Sequence, residues 1–270
     1  MDRPKRPLSG KTVVVTRAVE QSRELFEVLE SFGARVLQFP TICFAPPEDF
    51  AKLDAALRGL AHFDWVLFTS QNAVRFSFQR KQQLGMIGSA QAPRPRVAAI
   101  GSATAQAARN LDIRVDFVAT EETGEGFAAE LKHALSGARV LLPRSDRADD
   151  RLPAALRSAG ANVEEVVAYR TAAPESFDPA VVDEINAGLA SAIIFASPSA
   201  FDNFLGVIGV EKVKSVIGTT QLAAIGPTTA GAIRRAGFDV AVESEESSAA
   251  GMASAIARYY EKLPAAARHS

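Results

Sequence analysis

The chain has 270 residues, 47% of them hydrophobic and 23% charged, which is enough to bury one large core or two ordinary ones and argues against disorder. With 30 Lys plus Arg against 31 Asp plus Glu, the formal net charge is −1, so nothing attracts nucleic-acid phosphate globally and any anionic ligand has to be held by a local site. A lone cysteine, Cys43, excludes an intrachain disulfide framework, scattered His62, His133 and His269 make no metal cluster, and no apolar run approaches the roughly 20 residues of a membrane span or follows Lys5 and Arg6 as a signal peptide; a soluble, cytoplasmic protein without metal, membrane or nucleic-acid partner is expected.

In chain order, short β-branched and apolar runs predict strands near 12–16, 35–39, 64–68, 96–100 and 114–118, then near 139–142, 163–167, 192–196, 221–225 and 238–242. Their cores, such as TVVV, WVLF and AIIF, are apolar at nearly every position, as expected for parallel strands covered by helices on both faces. Amphipathic stretches lie between them. Leu25, Leu29 and Phe32 make a helical stripe ending at Gly33, and Leu152, Leu156 and Ala159 repeat it before Gly160. The alternation predicts an α/β fold built on mostly parallel sheets. The tail, 263–270, is expected to fray.

These elements also repeat. Aligned without gaps, Val13, Arg17, Leu25, Leu29, Ser31, Gly33, Ala34 and Val36 recur as Val140, Arg144, Leu152, Leu156, Ser158, Gly160, Ala161 and Val163, and Phe68, Ser70 and Ala73 recur as Phe195, Ser197 and Ala200. RVAAIGSATAQAARNLDIRVDF from Arg96 lies over QLAAIGPTTAGAIRRAGFDVAV from Gln221. Three collinear blocks point to an internal duplication. After the second strand of each copy comes an extended segment, FPTICFAPP from Phe39 and VAYRTAAP from Val167. Two equivalent linkers suggest one hinge crossed twice, so the domains need not coincide with the repeats.

In open parallel sheets ligands bind beyond the carboxyl ends of the strands, where helix N-termini direct free amides outward. There the chain places Thr16-Arg17, Thr69-Ser70-Gln71-Asn72, Gly101-Ser102-Ala103-Thr104, Pro143-Arg144-Ser145, Ser197-Pro198-Ser199 and Gly226-Pro227-Thr228-Thr229. Any one of these turns reads most simply as helix capping. Six of them, with Arg17 and Arg144, suit a ligand carrying several carboxylates or phosphates. Dinucleotide, P-loop, serine-hydrolase and zincin signatures are all missing, and Gly124-Glu125-Gly126 reads as a turn.

The strings VVVTRA, LFTSQNAV with IIFASPSAF, AAIGSATA, VVAYRT and AAIGPTTAGAI, in this order and spacing over roughly Lys11 to Lys262, resemble the uroporphyrinogen-III synthase family. The resemblance implies two flavodoxin-like α/β domains joined by a pair of extended linkers, with the active site in the cleft between them. One domain would comprise 1–38 with 174–262 and the other 44–166, with 39–43 and 167–173 as linkers. It implies a cofactor-free lyase of heme biosynthesis that cyclises hydroxymethylbilane to uroporphyrinogen III, with loss of water and inversion of ring D through a spiro intermediate. Tyr169 matches the family's hinge tyrosine and is the candidate catalytic residue, since a free phenol is protonated at neutral pH and suits a donor to the leaving hydroxyl. A tyrosine packed between linker strands is the plainer reading of the same residue. Ser70, Ser102, Thr104, Ser197, Pro198, Thr228 and Thr229 match substrate-binding turns, while Arg17 and Arg144 are candidate partners for acetate or propionate groups. A monomer is expected, meeting hydroxymethylbilane synthase transiently. A non-catalytic two-lobed module for a small polyanion would share these turns and linkers, and a regulatory domain of the same fold is a third reading.

Overall fold

The computed structural model describes residues 6–86, 94–121 and 123–263. The residues preceding Arg6, with Lys5 among them, and the tail after Leu263, with His269, lie outside the described residues. In chain order the elements are β1 (Thr12–Val15), α1 (Arg23–Ser31), β2 (Arg35–Gln38), β3 (Cys43–Ala45), α2 (Ala51–Arg58), β4 (Trp65–Phe68), α3 (Gln71–Gln83), β5 (Arg96–Ala99), α4 (Ser102–Arg109), β6 (Phe117–Val118), α5 (Gly124–Glu130) and α6 (Lys132–Leu135). They continue with β7 (Arg139–Ser145), α7 (Arg151–Ser158), β8 (Asn162–Ala172), α8 (Pro179–Asn186), β9 (Ala192–Phe195), α9 (Pro198–Ile208), α10 (Val210–Val216), β10 (Gln221–Ala224), α11 (Pro227–Arg235), β11 (Val242–Glu243) and α12 (Ala249–Lys262). Contacts divide the chain into two compact units, one of residues 1–43 with 172–270 and one of 44–171.

The first unit holds a parallel sheet in the order β11-β10-β9-β1-β2. Alternate residues of each strand serve different faces. Val14, Ile193, Leu222 and Phe195 pack with Phe201, Phe204 and Ile233 of α9 and α11. Val13, Val15, Ile194 and Ala223 pack instead with Leu25 and Leu29 of α1 and Met252, Ile256 and Tyr260 of α12. Every residue from Val13 to Val15 is therefore buried, which is why the strand reads as a continuous apolar run.

The second unit carries the order β3-β8-β7-β4-β5-β6, in which β8, β7, β4, β5 and β6 are parallel. Val66, Phe68, Val97 and Leu141 face one cluster, and Trp65, Leu67, Ala98, Val140 and Leu142 the other. Read in pairing order, β8-β7-β4-β5-β6 repeats β2-β1-β9-β10-β11 of the first unit.

Within the segment 167–173 the chain stays extended as β8 to Ala172, pairing with β7 as far as Tyr169 across one irregularity, with Asp146 N–H donating to Tyr169 O. Two expectations change. Gly124 to Gly126 are not a turn but the first turn of α5, capped by the Thr123 hydroxyl, which accepts from Gly126 N–H at 3.0 Å. A side chain at position 126 would collide with Glu121 and Thr123, which explains the glycine. The last strands of the two halves begin later than the apolar pattern suggests, at Phe117 and Val242.

Candidate functional site

In the first unit, neighbouring strands β1, β9 and β10 end side by side. Thr16, the residue after β1, is fully buried and locks this edge: its hydroxyl donates to Ile194 O at 2.7 Å, and its own carbonyl accepts from Thr41 N–H at 3.0 Å. Arg17 follows, half-buried, with its carbonyl accepting from Gln38 Nε2 at 2.7 Å and its Nε donating to Gln21 Oε1 at 3.2 Å. Among the described residues no carboxylate lies within ion-pair distance of the Arg17 guanidinium.

Ser197 caps α9 by accepting from Ala200 N–H at 3.2 Å. At α11 the cap is Gly226, which has no side chain to offer, and Pro227 has no N–H. The first-turn amides of Thr228 and Thr229 therefore have no partner inside their helix and face the turn. A cavity of about 460 Å³ lies here, lined by Arg17, Gln21, Ser197, Thr228, Thr229 and Ser247 among others. Arg17 is its one ionic side chain, and no carboxylate lines it among the described residues. Two helix N-termini add partial positive charge. Chemically this lining suits an anion. The structure thus brings Arg17, Ser197, Pro198, Thr228 and Thr229 together, with Thr228 exposed and Thr229 buried.

In the second unit Ser70 caps α3, its Oγ accepting from Ala73 N–H at 3.1 Å. The same Oγ lies 3.2 Å from the Tyr169 hydroxyl. Tyr169 is 8% exposed, its ring parallel to Phe76 at 5.7 Å and edge-on to Phe44 at 5.7 Å. A bulge makes this possible. Arg144 pairs with Val167 but Ser145 pairs with Tyr169, so Ala168 is an extra residue in β8. Regular alternation would send Ala168 and Tyr169 to opposite faces; the extra residue puts both in the cluster that holds Val166 and Phe76.

Beside Ser70 in the sheet, β5 leads into Gly101, whose φ of 85° sits in the region that favours glycine, and then into Ser102 and Thr104 of the first turn of α4, the former exposed and the latter buried. A second cavity, about 540 Å³, is lined by Thr69, Ile100, Thr123, Arg144, Arg147 and Arg151 among others. Arg144 departs from expectation. Its guanidinium lies against Glu165, donates to Asp149 O and stands 3.6 Å from Asp150, so its charge is engaged inside the unit rather than held out for a ligand. Burial works against the charge on Glu165, but hydrogen bonds from Arg157 and Arg144 outweigh it and hold the carboxyl below its ordinary range.

Gln21 and Ser247 were not singled out from the sequence. Ser247 sits in a strand-to-helix turn like the others, but β11 is only two residues long and acidic neighbours Glu245 and Glu246 obscure the pattern.

Comparison with known proteins agrees with the fold. The family model described as "Uroporphyrinogen-III synthase HemD" matches residues 23–254. The chain is 30% identical over 260 residues to the uroporphyrinogen-III synthase of Synechococcus elongatus, covering 94% of this chain and 97% of that one. It is 34% identical over 223 residues to the "Putative uroporphyrinogen-III synthase" of Methanothermobacter thermautotrophicus, covering 80% and 86%. Among solved structures it is similar in fold to uroporphyrinogen III synthase from Helicobacter pylori, with TM-score 0.54, 18% identity and coverage of 90% and 96%. A mutant of the synthase from the extreme thermophile Thermus thermophilus gives TM-score 0.53, 20% identity and coverage of 94% and 100%. The chain belongs to the uroporphyrinogen-III synthase family, lyases of tetrapyrrole and heme biosynthesis.

Proposed function

We propose that this chain cyclises hydroxymethylbilane to uroporphyrinogen III, inverting ring D and releasing water, with no cofactor. The observation that carries the reading is the cavity of the first unit, where one arginine, hydroxyls and two helix N-termini converge with no carboxylate among the described lining residues. A substrate with eight carboxylates needs such donors, and because it supplies its own electrophile the protein has chiefly to position it and assist departure of the hydroxyl.

In this reading Arg17, Ser197, Thr228 and Thr229 take substrate carboxylates, with Pro198 shaping the α9 turn, and Ser102 and Thr104 offer the corresponding turn of α4. Tyr169 is the proton donor. Its proton joins the departing hydroxyl, which leaves as water as the carbon–oxygen bond breaks and a cationic azafulvene forms. The substituted α-carbon of ring D attacks it to give the spiro intermediate, the old bond between rings C and D breaks to give a second cationic azafulvene, and this closes on the free α-carbon of ring D, whose hydrogen leaves as a proton and restores the phenol. Arg144 braces the β7–β8 edge. The same reading has the chain acting as a cytoplasmic monomer that receives its unstable substrate from hydroxymethylbilane synthase in a transient encounter. No helix among the described residues is long and apolar enough to cross a membrane.

The test is product composition. Purified protein supplied with freshly generated hydroxymethylbilane is expected to yield the type III isomer faster than spontaneous closure yields type I. Type I alone, at the spontaneous rate, would reject the synthase and leave a two-lobed binding module.

A further inference from the structure

We propose that Ser70 is a positioning residue for Tyr169: its hydroxyl donates to the phenol oxygen and so directs the phenolic hydrogen toward the departing hydroxyl of the substrate. The inference rests on the reading of Tyr169 as proton donor and replaces the expectation that Ser70 holds a substrate carboxylate.

A serine hydroxyl has one hydrogen and two lone pairs. At Ser70 one lone pair accepts from Ala73 N–H at 3.1 Å, which fixes Oγ at the start of α3. The next contact of Oγ is the Tyr169 oxygen at 3.2 Å, a distance either hydroxyl can bridge as donor. Two effects choose between them. An oxygen that accepts from an amide becomes a better donor through its own O–H. The N-terminus of α3 also carries partial positive charge, which favours the arrangement with the Ser70 hydrogen pointing outward and disfavours a phenolic hydrogen pointing in.

Tyr169 has little other freedom. Phe76 lies parallel to its ring, Phe44 meets it edge-on, and the β8 bulge fixes the backbone beneath it. What remains is rotation about the phenol C–O bond, whose hydrogen prefers the ring plane and hence one of two directions. Ser70 Oγ lies 3.2 Å from the phenol oxygen, so a hydrogen donated by Ser70 turns the phenolic hydrogen away from it. Ser197, which caps α9 in the same manner, has Ser199 Oγ at 3.1 Å in that place.

The test is a double-mutant cycle of Ser70→Ala and Tyr169→Phe, measured as kcat and KM for type III product, with Ser70→Asp and Ser70→Thr alongside. Tyr169→Phe is expected to lower kcat by about a hundredfold, the lower range of general acid catalysis. Ser70→Ala should lower kcat by about threefold to tenfold with KM nearly unchanged, the loss of one orienting hydrogen bond. In the Tyr169→Phe background Ser70→Ala should have no further effect on kcat. Ser70→Asp keeps an acceptor for Ala73 N–H but has no hydrogen to give, so kcat should fall while Tm is retained; Ser70→Thr should recover most of kcat.

A rise in KM at unchanged kcat for Ser70→Ala would overturn the proposal in favour of carboxylate binding, and so would additive effects in the double variant. Should Ser70→Ala not fold, equal kcat for the Asp and Thr variants would overturn it. Wild-type kcat in Tyr169→Phe alone would remove the underlying reading of Tyr169, an outcome separable from failure of the Ser70 step.

Discussion

The guanidinium of Arg144 lies against the carboxylate of Glu165 on the adjacent strand, the arginine side chain 8% exposed and the glutamate 26%. Arg157 holds the second carboxylate oxygen at 2.6 Å. Neutralising the glutamate leaves the positive charge of Arg144 buried with only Asp149 O and the more distant Asp150 for company. Glu165→Gln is therefore expected to destabilise the chain by about 2–4 kcal/mol. Urea unfolding followed by circular dichroism checks this, and a midpoint equal to wild type would show the pair to be inert.

The same carboxyl gives a pH dependence. Glu165 is held below its ordinary range despite its burial, by Arg157 and Arg144. Asp54 is held low by Arg80, and Asp116, against its burial, by Val97 N–H, Arg94 and Arg114. A group whose folded pKa is depressed contributes stability that is complete above its unfolded value and is lost as pH falls toward the folded value. Tm should therefore be level near neutrality and decline below about pH 4–5, where free carboxylates begin to protonate. The decline should be shallower in Glu165→Gln. A thermal melt series from neutral to acidic pH tests both, and a Tm that rises on acidification would contradict the assignment.

What was readable in the sequence, and what was not, follows from the range of the forces involved. Strands such as β4 and β9 are buried on both faces, so each announces itself as an apolar run. The polar turns at strand ends were legible for the same reason, since an abrupt change from WVLF or AIIF to Ser and Thr marks where the sheet stops. The far half of β8 read as extended chain but not as sheet, because the strands it joins lie far away in sequence. Nor was the direction of Tyr169 legible, since it depends on one extra residue relative to β7 and hence on strand pairing distant in sequence. The pairing of Arg144 was hidden on similar grounds: Glu165 is brought beside it only when β7 and β8 pair.

Gly101 and Gly226 head equivalent helix turns but for different reasons. Gly101 has φ of 85°, where a Cβ is strained, so Gly101→Ala is expected to cost about 1–2 kcal/mol. Gly226 has φ of 179°, extended backbone open to any residue; a Cβ there meets only Ser247 Oγ at 3.0 Å. Gly226→Ala should therefore change stability by less than about 0.5 kcal/mol, since a serine hydroxyl can turn aside. Its effect should appear in KM, because the added methyl sits in the lining of the anion cavity. Parallel denaturation and steady-state measurements on the two variants decide this, and equal loss of stability in both would refute the distinction.

Arg17 provides the sharpest contrast with Arg144. The two align in sequence, but Arg144 lies within β7 whereas Arg17 lies past the end of β1, half-buried at the edge of a cavity, its guanidinium beside Gln21 with no carboxylate among the described residues. Arg17→Gln therefore strands no buried counter-charge, and stability should stay within about 0.5 kcal/mol of wild type. Binding is another matter. A charge-assisted contact to a carboxylate in a partly open site is worth about 1 kcal/mol after screening, so KM should rise about fivefold with kcat nearly constant. Added salt should raise KM in the wild type and do so less in the variant, because part of the screened attraction has been removed. A kcat loss at constant KM would instead place Arg17 in the chemical step.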